Sequence, residues 1–516
     1  MATRFTNGLV YLGAGKWAGE LFVDGDKVVD SSTFEKSLEQ EEIDLQGNTL
    51  VPAFRDGHAH PLFAGRELSG LNITRAKSIE EIQNLLAAHA IKYPDGWITG
   101  GAYDRILSPS NARAVLDEVV RDRPVVLHAD DHHTIWVNTK ALEVSGLLKP
   151  NLPKLKVGRI DIDESSVPTG ILREFEAINL ILQHQPESSL ESDVKALLLA
   201  DQLLLAAGIV EVQDAWIDPG MAEVYLGASD QLRLDYKLLL RTEPGQLIRN
   251  LEYIKSVIQL DYTSTKISIQ GVKFFLDGVF GSATAAVKEP YLSTQATGDL
   301  NWNFDELVET ISKVHELGLQ SHLHAIGDAG IEFALAALQQ AKPGALPAVV
   351  AHAELTSAEL IKKAKELSVH LVVQPYWAQN NSMLKSCLQH LGEVRTEALY
   401  SFRDILDAGV ELAFSSDWPV SRYQPIEGIT VAVYRKSEDS QTAHNPSQAI
   451  RLEEALDAYT SSVSKMLGEE GTSLEPGANF DAVILEGDLK QKDLDSLMQT
   501  KVLAVYKSGT KLLPHH

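Results

Sequence analysis

In Asp56-Gly57-His58-Ala59-His60, two imidazoles close a short apolar run, and several runs downstream end in the same manner. Val272-Lys273-Phe274-Phe275-Leu276-Asp277, Ser321-His322-Leu323-His324-Ala325, Val349-Val350-Ala351-His352-Ala353 and Ala413-Phe414-Ser415-Ser416-Asp417 each carry a lysine, an imidazole or a carboxylate. Histidine and carboxylate bind divalent ions such as zinc, and an ion held by protein with a coordination position to spare does hydrolytic work. Alternate residues of a strand share a face, so His58 and His60 point one way and Ala59 the other. A bare H-x-H occurs by chance as a pair of loop histidines. Placed at the end of a first apolar strand, between Asp56-Gly57 and Pro61, the pair reads as metal ligands.

Lys273 stands among bulky apolar neighbours, where an ammonium is costly to bury. Burial lowers a lysine pKa and favours the neutral amine. Such an amine can take up CO2 to form a carbamate, a carboxylate-like group able to bridge two cations. A Schiff-base lysine is the competing functional reading, and a solvated edge-strand lysine the bland one. His324 lies nearer its strand end than His322 and is the expected ligand. His322, one layer deeper, reads equally as a hydrogen-bonded core histidine. His352 alone would read as structural, but in register with other ligand-bearing strands it reads as a ligand. Asp417 could bind an ion and accept a proton from water. A turn or N-cap aspartate is its alternative.

A strand followed by a ligand, repeated along a long chain, is what a (β/α)8 barrel provides, since its sites collect at the C-terminal ends of parallel strands. Eight candidate strands centre near residues 57, 211, 236, 271, 321, 350, 371 and 413. Helical patterns fill the gaps, for example Phe304–Leu317 and Ala358–Leu367. The first gap is too long for one helix, so residues 66–200 must hold an inserted subdomain. It includes a helix near Ile79–Tyr93, a strand at Val125–Ala129 and a Gly/Pro-rich stretch from Pro150 to Gly170. Short strands with turns mark both ends, which predicts a small β-sandwich domain built from residues 1–52 and 472–516, around a barrel of residues 53–471.

With 516 residues, the chain can bury a large core. Its net charge of −25 disfavours nucleic acid and anionic membrane, both of which need basic patches. Cys387 is the only cysteine, which excludes an internal disulfide and a thiolate metal cluster. The apolar stretch Ala196–Val212 carries Asp201 and Gln202 and reads as a buried helix ending at Gly208, then a strand, not a membrane span. No signal peptide is apparent at the N-terminus. The expected location is cytoplasmic and the expected partner a small-molecule substrate, with self-association into a homodimer allowed.

Taken together, these residues resemble the amidohydrolase superfamily, in its YtcJ-like and N-substituted formamide deformylase-like branch (amidohydrolase family 3). The shared order of motifs carries the likeness: Asp56-Gly57-His58-Ala59-His60-Pro61, Asp131-His132-His133, Pro168-Thr169-Gly170, Gly208 to Asp214, Lys273 to Ser282, His324 to Asp328, Ser416-Asp417-Trp418-Pro419, and Glu475-Pro476-Gly477 with Asp481. The resemblance implies that His58, His60, Lys273, His324 and His352 bind two divalent ions, most often zinc. Lys273 would be carboxylated and bridging, and Asp417 would be ligand and catalytic base. It also implies hydrolysis of an amide-like C–N bond. Arg55, Ala53 and Val279 depart from the family pattern, and the departures are expected to touch the pocket lining. Trp136, Trp216, Phe280, Tyr376, Trp377 and Trp418 hint at an aromatic-lined site. Of these Trp136 and Trp418, with His133, are the candidate substrate-binding residues, and the insertion is the expected lid. Two other functions compete. A mononuclear ring deaminase would use a glutamate soon after the fifth-strand histidine, where this chain has Ala325-Ile326-Gly327-Asp328. A non-catalytic scaffold would lack several ligands, and none is missing here.

Overall fold

The computed structural model describes every residue except 1, 36–38, 75, 105–106, 130–132, 150, 156–157, 187, 261, 263, 265, 438–439, 441 and 514–516. Eight strands form one sheet in chain order: Phe54–Ala59, Ile209–Ile217, Asp235–Arg241, Ile267–Phe275, Gln320–Ala325, Val349–His352, His370–Val373 and Leu412–Phe414. Each neighbouring pair is parallel. Every strand contains or adjoins the centre expected from the sequence. The first and last strands meet just beyond their C-terminal ends. There the Asp417 N–H donates to the His58 carbonyl at 2.8 Å and the His60 N–H to the Trp418 carbonyl at 2.7 Å. The Asp56 carboxylate ties the same seam by accepting from Ser416 N–H at 3.0 Å. The fold is a (β/α)8 barrel, and its closing bonds involve four of the candidate site residues, His58, His60, Asp417 and Trp418.

Local sequence explains the helices between strands. Asn303 caps Phe304–Glu316 by accepting from the Asp305 and Glu306 N–H groups. Acids in its first turn and Lys313 and His315 in its last suit the helix dipole. Ser357 caps Ala358–Glu366 through the Leu360 N–H. The helix Leu190–Ala206 ends before Gly208, whose φ of 85° is open to glycine. A Cβ there would also press on Phe54 at 3.1 Å, so this glycine lets the chain turn tightly into the second barrel strand.

The chain divides into two compact units, residues 1–60 with 201–516, and residues 61–200. The first unit holds the barrel, one sheet made from the N-terminal residues and a second made from both ends of the chain. One sheet is ordered Lys27–Val29, Leu21–Asp24, Ala2–Thr6, Gln40–Asp44. The other is ordered Thr510–Leu513, Val502–Lys507, Ala482–Leu485, Thr49–Pro52, Leu9–Gly13, Lys16–Ala18. The two sheets share a core that includes Phe5, Val23, Leu50, Phe480, Ile484 and Tyr506. The strand Thr49–Pro52 runs almost directly into the first barrel strand.

The second unit is a six-stranded mixed sheet, ordered Arg159–Ile162, Pro168–Arg173, Thr134–Val137, Val125–Ala129, Ile98–Tyr103, Leu71–Asn72. Helices lie with it, among them Ile79–Lys92 under its Ser78 cap. The Gly/Pro-rich stretch therefore hides an antiparallel strand pair that composition alone does not reveal. Each face of this sheet has its own core. Ile135 and Val137 go to one and Trp136 to the other, as strand alternation requires.

Arg55 departs from expectation in a second way. It does not line a pocket but lies near the N-terminal end of its strand, three residues before His58. There it pairs with Glu211, with Glu469 at 3.2 Å and with Asp481 at 3.8 Å. Lys237 joins the same acids, 2.9 Å from Glu469 and 3.5 Å from Glu211. Arg55 is 13% exposed and Glu211 4%, so this pair is shielded from solvent, while Glu469, 38% exposed, forms the network's outer edge. Removing Arg55 leaves the buried Glu211 with Lys237, 3.5 Å away, as its remaining cation among the described residues. Arg55→Met is therefore expected to cost about 1.5–3 kcal/mol of stability in denaturant unfolding, the worth of a hydrogen bond to a charged group, with metal content unchanged. Unaltered stability together with a changed KM would restore the pocket-lining role.

Candidate metal centre

His58, His60 and Asp417 are buried and offer one ligand atom each, all within 4.8 Å of one another. The two imidazoles come from the first strand and its end, and the carboxylate from the loop after the eighth, so the barrel seam brings them together. His58 Nε2 lies 3.3 Å from Asp417 Oδ1, and His60 Nε2 lies 3.1 Å from the same oxygen. Lys273 reaches in from the fourth strand with its Nζ 3.1 Å from His58 Nε2. The His352 ring is centred 4.9 Å from His58 and 4.5 Å from His324. All six residues expected to hold metal thus gather at the C-terminal ends of the barrel strands. The tightest donor set is His58, His60 and Asp417, with His352 adjoining it through His58 and His324 adjoining His352.

The electrostatics follow from burial. Lys273 is fully buried, and burial brings its amine down to about 7 although Asp417 and Asp214 favour the charged form. His58 is pushed well below the usual histidine value, first by burial and then by the neighbouring charges of Lys273, His60 and His324. His352 is lowered for the same first reason. Burial also pulls on His60, but bonds to Asp214 and Asp417 outweigh it and raise its pKa. Burial works against the Asp417 carboxylate. The His60 hydrogen bond and the charges of His352, His60 and Lys273 prevail and hold it at about 2. An ionised carboxylate, imidazoles of which His58 and His352 are held neutral, and an amine that deprotonates easily are a donor set suited to cations.

Outer contacts decide which nitrogen each histidine offers. Ser415 O–H donates to the Val373 carbonyl and accepts from Gln374 Nε2 at 2.8 Å. The Gln374 oxygen must then accept, and it lies 2.9 Å from His352 Nδ1. His352 therefore carries hydrogen on Nδ1 and a lone pair on Nε2. His324 Nε2 lies 3.1 Å from the Gly278 carbonyl, which can only accept, so its lone pair falls on Nδ1. Asp277 accepts from the N–H groups of Ile326, Gly327 and Ala286 and fastens the loop after the fifth strand. Burial raises its pKa to about 7 despite those bonds.

Two of the gathered residues hold backbone conformations that side chains seldom adopt. His352 has φ 73° and Asp417 has φ 55°. Such strain concentrates where a site requires one orientation of a side chain. It is invisible in sequence.

Residues 41–512 match the family model described as the amidohydrolase family. The chain belongs to this family. The YtcJ protein of Bacillus subtilis (strain 168) is 27% identical over 95% of this chain and 95% of its own length. The N-substituted formamide deformylase of Arthrobacter pascens is 25% identical, over 91% of this chain and 89% of its own. A crystal structure of an uncharacterized metal-dependent hydrolase from Pyrococcus horikoshii OT3 covers 96% of this chain and 99% of its own, with a TM-score of 0.77 and 25% identity.

The candidate substrate-binding residues of this amidohydrolase fare differently. Trp136 is a correction. It is fully buried in the second unit, packed on Tyr103 at 5.4 Å, with its indole N–H donated to the Ala112 carbonyl at 2.7 Å. No face of it is left for a substrate. Trp418 follows Asp417 directly and packs on Tyr423 at 4.8 Å. His133 belongs to the second unit, 2.8 Å from Glu174 through Nδ1, while Asp131 and His132 lie outside the described residues. Among the other aromatics, Trp216 meets His60 at 6.2 Å and Trp377 stacks on His352 at 5.8 Å. Phe280 is buried against Tyr291. Sequence reasoning gave no role to Asp214, Gln374 or Glu174. The first two occupy positions at barrel strand ends, so inspecting every strand end for a polar residue would have found them. Among the described residues, no helix is long and apolar enough to cross a membrane.

Proposed function

We propose that this amidohydrolase is a metal-dependent hydrolase that cleaves the C–N bond of an amide or N-formyl-type small molecule. The observation that carries the reading is the buried His58, His60 and Asp417 cluster beside an amine that burial makes easy to deprotonate. The deformylase relative supports the bond class. His58, His60, Asp417, His324 and His352 would hold two divalent ions, with zinc the best match to the ligand types. Lys273 would bridge them as a carbamate: its neutral amine adds to CO2, an N–C bond forms as one C–O π bond opens onto oxygen, and one amine proton leaves to solvent. Bound divalent ions supply Lewis acidity towards the substrate carbonyl and acidify water to a pKa of about 7. Asp417, ionised at neutral pH, takes the proton of the attacking water at a carboxylate oxygen and passes it to the leaving nitrogen. Trp216, Trp377 and Trp418 exclude water and offer apolar contact to the substrate.

A panel of formamides, N-acyl amides and esters tests this reading. Hydrolysis of a formamide or amide that is abolished by a chelator and restored by zinc is the expected result. Turnover of esters alone would overturn the bond class, and turnover indifferent to chelation would overturn the metal dependence.

His133 of the second unit would bind substrate, oriented by Glu174, whose φ of 66° marks a strained position. His133→Ala is expected to lower kcat/KM by about 10- to 100-fold, the worth of one charge-assisted hydrogen bond. Metal content should not change, because no ligand is removed. Unchanged kinetics would reduce the His133–Glu174 pair to a loop fastener.

A further inference from the structure

His322 sits beneath the candidate ligands and has no part in the reaction described so far. It is fully buried, as is His58, and its Nε2 lies 2.9 Å from His58 Nδ1. The two rings are centred 4.9 Å apart. His322 also pairs in register with Lys273 on the neighbouring strand, so one residue of the fifth strand underlies both the first-strand and the fourth-strand members of the cluster.

We infer that His322 is a positioning residue that holds the His58 ring by Nδ1 and so fixes Nε2 as the nitrogen offered to the metal. The inference rests on the metal-centre reading above. His58 Nε2 faces the cluster, 3.1 Å from Lys273 Nζ and 3.3 Å from Asp417 Oδ1. An imidazole that gives its Nε2 lone pair to an ion keeps its hydrogen on Nδ1. That hydrogen points at His322 Nε2, which must accept it. His322 in turn keeps its own hydrogen on Nδ1, where no hydrogen-bond acceptor stands among the described residues. The bond to His58 is thus the polar contact that orients the His322 ring, and the pair runs in one direction. Outer partners of ligating histidines are commonly carboxylates or backbone carbonyls, and their loss typically costs 10- to 100-fold in metal affinity. A neutral imidazole in that place orients its neighbour without adding a negative charge beneath the ions.

A histidine that merely fills space would have no preference among replacements of similar volume, and this separates the two roles. His322→Leu keeps apolar volume and removes the acceptor. His322→Gln keeps an amide oxygen able to accept from His58. Zinc affinity of the full-length protein, measured by competition with a chromogenic chelator, is expected to fall 10- to 100-fold in His322→Leu and to recover largely in His322→Gln. Thermal unfolding of the metal-free proteins should be alike. If His322→Leu does not fold, His322→Asn, whose amide is too short to reach His58, takes its place. Equal zinc affinity in parent and Leu variant, or an equal loss in Leu and Gln variants, would overturn the positioning role while leaving the metal centre standing. A parent protein that binds no zinc would overturn the metal-centre reading and this inference with it.

Discussion

Lys273→Ala is expected to lose most of its metal and more than about 10³-fold in activity, near 4 kcal/mol of barrier, within the several kcal/mol a catalytic metal contributes. The expectation starts from an amine placed where its charged form is disfavoured and where it lies 3.1 Å from a candidate ligand. Alanine removes the bridging group and leaves the barrel strand intact, because Lys273 keeps its backbone bonds to Thr242 and to the fifth strand whatever its side chain. The chemistry also has a pH signature. Only the unprotonated amine adds to CO2, and burial sets Lys273 at about 7. Reconstitution with bicarbonate and zinc should therefore succeed above pH 7 and fail progressively below it. An alanine variant with full metal content and near-normal turnover would remove Lys273 from the centre.

Asp417→Asn is expected to lower kcat by about 10²- to 10⁴-fold, the usual range for loss of a general base. The fold should survive for reasons specific to this position. Asp417 has φ 55°, a region in which Asn and Asp are several-fold enriched over other residues with a side chain. Its N–H bond to the His58 carbonyl, which helps close the barrel seam, belongs to the backbone. Asn therefore keeps the backbone in place and replaces the one carboxylate of the cluster, which would serve as both ligand and base. A defect confined to KM would show that uniform substrate binding, not proton transfer, had been removed.

Much of this site was legible because its residues obey a simple rule. Each of His58, Lys273, His324 and His352 stands at or near the end of a short apolar run, and the parallel barrel brings such ends together. The same rule, applied only to strong ligand types, passed over Asp214 and Gln374. Gln374 directly follows a strand and orients His352 at 2.9 Å, and Asp214, near the end of its strand, lies 3.7 Å from His60. His322 reads one layer deeper than His324 from its place in the strand, but the sequence does not say what it touches there; the 2.9 Å contact with His58 distinguishes a partner from a filler. Trp136 misled because an aromatic residue beside a histidine-rich motif looks like a pocket wall. The alternation of Ile135, Trp136 and Val137 across a sheet with two covered faces sends it to a core instead. Arg55 misled for a related reason. Three residues earlier on the same strand as His58, it sits towards the other end of the barrel, where acids from neighbouring elements meet it.

The most direct measurement is a zinc-edge anomalous difference map from crystals of the zinc-loaded protein. The account predicts two peaks in each chain. One lies among His58, His60 and Asp417, the other beside His324 and His352, with the Lys273 side chain extended by a carboxyl group between them. A map with no peak among His58, His60 and Asp417 would contradict it.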